Sequence, residues 1–153
     1  MIMRLKIEVQ NSGSEDARRN HTITRLPSAE ALKEAIENYI HTGNGAVILH
    51  SSLYDYRYDT KLADYHKVDS ISIAGHIFEV TVENGIVYVN IELNDDININ
   101  KKYICFYRAT MESDPNLADR TLVITNLFSV DLITVLDSEL SENTNLSSFE
   151  ILG

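Results

Sequence analysis

FEVTVENGIVYVNIEL, residues 78–93, is the stretch from which the rest of the chain can be read. Asn84-Gly85 is the dipeptide that accepts positive φ at both central positions of a type I′ turn, which matches the twist of two flanking strands. Pairing Glu83 with Ile86 sets Val82 against Val87, Val80 against Val89 and Phe78 against Ile91. Those six apolar side chains then share one face, and Glu79, Thr81, Tyr88 and Asn90 share the other. Turn chemistry and period-2 alternation agree, so a hairpin with one buried face is expected.

Working outward, MRLKIEV (3–9) alternates Leu5, Ile7 and Val9 with Arg4, Lys6 and Glu8, again a half-buried strand. NSGSEDARRN (11–20) reads as a polar loop. Ser28 follows Pro27 as an N-cap, with Glu30 in the first turn, where the helix dipole favours a carboxylate. The helix it opens, about 28–41, places Leu32, Ala35, Ile36, Tyr39 and Ile40 on one stripe, and Gly43 and Gly45 stop it. AVILHSS (46–52) is a short apolar strand. Ala74-Gly75 suggests a turn after a strand carrying Ile71 and Ile73. YICFYRA (103–109) and TLVITNLF (121–128) are further strands. Residues 129–140 admit two readings. Leu132, Ile133, Leu136 and Leu140 suit a second helix, whereas Val130, Leu132, Thr134 and Leu136 alternate as a strand. The sum is an α+β fold, one domain over 1–153, with a mainly antiparallel sheet.

The chain has 153 residues, enough for one ordinary core, and a net charge of −10. Residues 1–78 hold 10 acids and 9 bases, while residues 79–153 hold 13 acids and 4 bases. That excess disfavours direct contact with nucleic acid or an anionic membrane and suits either solubility or a basic partner. Cys105 is the single cysteine, which excludes an internal disulfide. MIMRLKIEVQ puts charges into an alternating pattern unlike a secretory leader, and no apolar run reaches the ~18 residues of a membrane span. A cytoplasmic protein is expected.

No phosphate-cradling glycine loop or nucleophile elbow is present, and the five histidines lack helical metal-pair spacing. No catalytic residue, metal or cofactor is therefore expected. His21-Thr-Ile-Thr and His50-Ser-Ser resemble the paired H-x-T/S motifs of phosphoesterases, which aim two histidines at one phosphate. Asp95-Asp96 ends the second hairpin arm in carboxylates. Tyr54, Tyr56 and Tyr58 recur at i, i+2, i+4, so an extended backbone puts three rings on one face, the kind of anchor interfaces use.

AVILHSSLYDYRYDTKLADYHKV and, after a gap, VYVNIELNDDIN together resemble the central region of small acidic phage anti-CRISPR proteins that inhibit Cas9. The similarity runs over residues 46–100, through AV-x-L, YDT (58–60), KL-x-DY (61–65) and Tyr88–Ile91 leading into Asn94-Asp95-Asp96-Ile97. It implies a mixed α/β inhibitor whose carboxylates occupy the groove where the effector reads duplex DNA. Asp95 and Asp96 fall on the matching positions, with Asp59 and Asp64 alongside. The expected function is thus a phage or mobile-element inhibitor that meets a basic nucleic-acid-binding protein by phosphate mimicry. The alternatives are an accessory interaction module whose acidity serves solubility, and a small phosphoesterase using His21 and His50.

Overall fold

The computed structural model describes residues 2–11, 26–56, 73–113, 116, 121–141 and 144–152. Among the described residues, seven strands and one long helix follow in chain order: β1 (Met3–Val9), α1 (Ala29–Gly43), β2 (Ala46–His50), β3 (Ile73–Glu83), β4 (Ile86–Leu93), β5 (Lys102–Ser113), β6 (Leu122–Val135) and β7 (Phe149–Leu152). All seven strands join one sheet in the order β4-β3-β2-β6-β5-β1-β7, and β4 also pairs with β1. The sheet therefore curls until β1 meets both β4 and β5, making a closed six-stranded barrel with β7 attached to β1. The architecture is mainly β, which corrects the α+β expectation. Closure was hidden because each strand's alternation shows which face it buries but not which neighbour it meets.

The hairpin forms as its turn chemistry dictates, with Asn84 at φ 52 and Gly85 at φ 77. Its register holds from Glu83↔Ile86 to Glu79↔Asn90, then shifts so that Ile77, not Phe78, faces Ile91. This bulge turns Phe78 outward, 43% exposed, under the Arg4 guanidinium at 5.2 Å. Ala74-Gly75 is not a turn either. Gly75 lies inside β3 opposite Leu93, where an added Cβ would stand 2.1 Å from the Glu92 carbonyl oxygen. Glycine marks a close backbone approach at that position.

Residues 129–140 resolve as the end of β6 followed by a single 3-10 turn, Asp137–Glu139, so the second helix is not formed. Every residue from Ser129 to Val135 is buried. Val130 and Leu132 enter the barrel core, while Ile133 and Val135 join Leu53 and Ile104 in a second cluster on the outside. A strand covered on both faces loses the polar alternation that would have identified it.

Helix α1 is capped by Ser28, whose Oγ accepts the Ala31 N–H at 3.1 Å, and it ends at Asn44 in the left-handed region. Leu32 and Ile36 are fully buried in the same core as Leu5, Ile7, Val89 and Ile91. The Tyr39 hydroxyl donates to the Ala46 carbonyl, and the Gly45 carbonyl accepts the Ile77 N–H at 2.8 Å, so the helix exit is tied to β2 and β3. Among the described residues no helix is long and apolar enough to cross a membrane.

The registers put the end of β2, the start of β3, the end of β4, the start of β1, the start of β5 and the end of β6 at one rim of the barrel. This rim carries the loops that hold the candidate residues. Gly75→Ala is expected to lower stability by about 2 kcal/mol or more through overpacking. Gly43→Ala, where the nearest atom is 3.9 Å away, is expected to be neutral or to stabilise by about 0.5 kcal/mol. Urea denaturation midpoints of the two variants measure the contrast.

Candidate functional site

Asp95 and Asp96 occupy the turn that leaves β4 at this rim. The turn is pinned from beneath by Asn94, whose N–H reaches the Ala74 carbonyl at 2.8 Å and whose Nδ2 reaches the Ile73 carbonyl at 2.7 Å. Ile97 N–H closes back on the Asn94 carbonyl at 3.2 Å, and Ile97 and Ile99 pack against the barrel core. With its neighbours anchored, the loop leaves both aspartates exposed, and no described cation lies within ion-pair distance of either.

Tyr54 and Tyr56 sit at the same rim, but not as the spacing suggested. Residues 53–56 form one helical turn, so the rings do not share a face. Glu139 caps that turn, accepting the Leu53 and Tyr54 N–H groups at 3.1 and 2.9 Å, and also the Leu136 N–H at 3.1 Å. Tyr54 is 72% exposed, whereas Tyr56 turns inward. An extended run was expected because alternating Tyr and Asp mimics a strand; Ser52, which accepts the Asp55 N–H at 3.0 Å, caps a helical turn instead. Tyr58, Asp59, Asp64 and His21 lie outside the described residues.

Among the described residues, the acids of the second half do not gather on one face. Glu83, at the hairpin end, bonds Lys6 at 2.6 Å; Glu92 bonds Arg4 at 3.1 Å; Asp137 bonds Lys102 at 3.3 Å. Glu112 stands on the distal part of the β5–β6 ribbon, opposite Val123. The hydrogen bond to Glu83 raises the Lys6 pKa above the ordinary lysine value. Three of these acids therefore face the chain's own cations.

Tyr56 leads to a polar cluster that the sequence did not disclose. Asp131 is fully buried on the outer side of β6. Its Oδ1 accepts Arg108 Nη2 at 2.9 Å and faces His50 Nε2 at 2.8 Å, while its Oδ2 accepts the Ser129 hydroxyl at 2.9 Å. Arg108 Nε donates to Ser129 Oγ at 2.9 Å. Tyr56 covers the cluster, edge-on to His50 at 5.0 Å, stacked on Phe106 at 5.8 Å and beneath Arg108 at 5.7 Å. Only a faint signal existed: one acid and one base at outward positions of two apolar strands. A buried carboxylate persists because donors surround it, and here four groups interlock.

His50 is 4% exposed and engaged with Asp131, which suits a structural histidine better than a proton shuttle at an open phosphate site. Among the described residues no group of three His, Cys, Asp or Glu side chains is placed to hold a metal. Burial pushes the Cys105 thiol pKa far up, with Asp131 adding to it, so the thiol stays protonated. A broad open cleft of ≈500 Å³ near Val9, Ala29, Ile86 and Leu146 lies at the opposite rim and holds no cluster of catalytic groups. No protein family, curated protein or solved structure matches this chain.

Two outcomes are expected. Asp131→Ala removes the acceptor shared by half-buried Arg108 and buried His50 and should cost about 3–5 kcal/mol, with Arg108→Met combined with Asp131→Leu costing less than the sum of the separate changes, read from chemical denaturation. Burial raises the pKa values of Tyr39 and Tyr107 from 10.0 to about 12, with Asp131 assisting at Tyr39. The folded state favours their neutral forms, so this stability is intact below the unfolded value and is lost as pH rises through the folded one. Denaturation midpoints should fall between about pH 10 and pH 12, while the phenolate absorbance of these two tyrosines, and of Tyr103, whose pKa burial also raises, develops late.

Proposed function

We propose that this chain is a non-enzymatic binding protein that presents Asp95 and Asp96 to a basic surface of a nucleic-acid-binding partner, where they take the place of phosphates. The observation that carries this reading is the pinned turn. Asn94 and the half-buried Ile97 anchor a turn that exposes two carboxylates with no counter-charge among the described residues. Carboxylates satisfy the guanidinium forks that otherwise bind phosphate, and a pre-set loop loses less entropy on binding. Exposed Tyr54 on the same rim supplies a rigid ring for the contact. The resemblance to anti-CRISPR proteins over residues 46–100 points to a Cas9-type effector as the partner.

A second reading is favoured by the ion pairs of Glu83, Glu92 and Asp137, which take three acids out of any continuous anionic surface. In that reading the chain is an accessory interaction module and its remaining acids maintain solubility. Capture of partners from a bacterial lysate at low and high salt separates the two. Phosphate mimicry predicts a basic nucleic-acid-binding protein that is released by salt and held about tenfold or more weakly by Asp95→Asn with Asp96→Asn. Binding indifferent to salt and to both substitutions, but weakened by Tyr54→Ala, would leave only the module reading.

A further inference from the structure

Among the described residues, strand β7 is paired on one side only. Its register with β1 runs Ile7↔Phe149, Lys6↔Glu150, Leu5↔Ile151 and Arg4↔Leu152, and the Glu8 N–H bonds the Ser148 carbonyl at 2.9 Å. In an antiparallel ladder successive residues direct their backbone groups to opposite sides. Ser148, Glu150 and Leu152 therefore bond β1, and Phe149 and Ile151 turn their N–H and C=O groups away from it, toward no described strand. Both residues also expose their side chains, at 43% and 46%, on the face they share with Met3, itself 38% exposed. An outward row of backbone donors and acceptors beside exposed apolar side chains is a template for an added strand.

We propose that the outer edge of β7 binds an extended segment of a partner protein in which a basic residue is flanked by apolar ones. The chain displays the complement on the other edge of the same strand: β1 sets Leu5, Lys6 and Ile7 against Ile151, Glu150 and Phe149. Glu150 is exposed, and the Lys6 ammonium opposite it is already held by Glu83 at 2.6 Å. An incoming lysine or arginine opposite Glu150 meets a carboxylate that attracts Lys6 across the ladder but makes no direct ion pair with a described cation, while its apolar neighbours cover Phe149 and Ile151. A second copy is a poorer occupant, since the symmetric β7–β7 pairing centred on Glu150 brings two like charges face to face. This surface is separate from the Asp95–Asp96 turn and does not depend on it.

The test uses the full chain, isotope-labelled, titrated with a short acetylated peptide alternating valine and lysine. Saturable amide shifts centred on Phe149, Glu150 and Ile151 are expected. Ile151→Pro removes only an outward N–H, a change edge strands accept, and should weaken binding about tenfold at unchanged fold and urea midpoint. Glu150→Lys should weaken the lysine peptide and favour a valine–glutamate counterpart. The proposal is overturned by absence of shifts at β7, by binding indifferent to both substitutions, or by a concentration-dependent dimer that Ile151→Pro abolishes, which assigns the edge to a second copy.

Discussion

Pairing of β1 on both of its edges is the constraint from which the rest of the molecule follows. One edge zips to β4 along its whole length, from Met3↔Leu93 to Val9↔Val87. The other meets β5 at a single register position, Val9↔Cys105, where Gln10 N–H reaches the Cys105 carbonyl at 2.9 Å. Where β5 diverges, the C-terminal segment fills the gap. Ser147 Oγ accepts the Cys105 N–H at 2.9 Å, and Ser147 N–H reaches the Tyr103 carbonyl at 3.2 Å. With that seam in place Leu5, Ile7 and Val9 face inward against Val89, Ile91 and Leu132, and Leu32 and Ile36 of α1 complete the core. Burying a side chain of this size contributes roughly 1.5–3 kcal/mol, so three inward residues on a seven-residue strand outweigh the short ladder at the seam.

The barrel wall is also a platform on its outer side. Arg108, Ser129, Asp131 and His50 interlock over β2, β6 and β5, and Tyr56 lies across them. Isolated, a buried carboxylate at Asp131 would be strongly destabilising; surrounded by donors it becomes a fixed anchor. Tyr56 thereby locates the short turn that carries exposed Tyr54, and Glu139 locks the same turn to the end of β6. The loop rim thus leans on polar interactions set one layer below it. Rigid support of this kind lowers the ordering entropy that any contact with the rim would cost.

What the sequence made legible was local. Asn84-Gly85 fixed the hairpin and most of its register, and Ser28 with the Leu32–Ile36 stripe fixed the helix, because each depends on neighbours within a few positions. The misread elements depend on distant partners. Phe78 was taken from the core by a bulge, Gly75 is set by the approach of Glu92 across the ladder, and β6 is covered on both faces by segments remote in the chain. At the site, the exposure of Asp95 and Asp96 was readable from polarity alone. Asp131 was not, since an acid in an apolar strand makes sense only when Arg108 and His50 are seen beside it.

The seam between the first and last strands carries a cost in time. β1 precedes its partners in the chain, and the edge it does not share with β4 stays open until residues 145–152 arrive, because Ser147 and β7 hold the part that β5 does not reach. Closing so long a loop is slow, and until then an alternating, half-apolar strand is open to mispairing. Arg4 and Lys6 give that waiting strand positive charge at two of its outward positions, which repels a second copy of itself. The same two residues neutralise Glu92 and Glu83 once the barrel has closed.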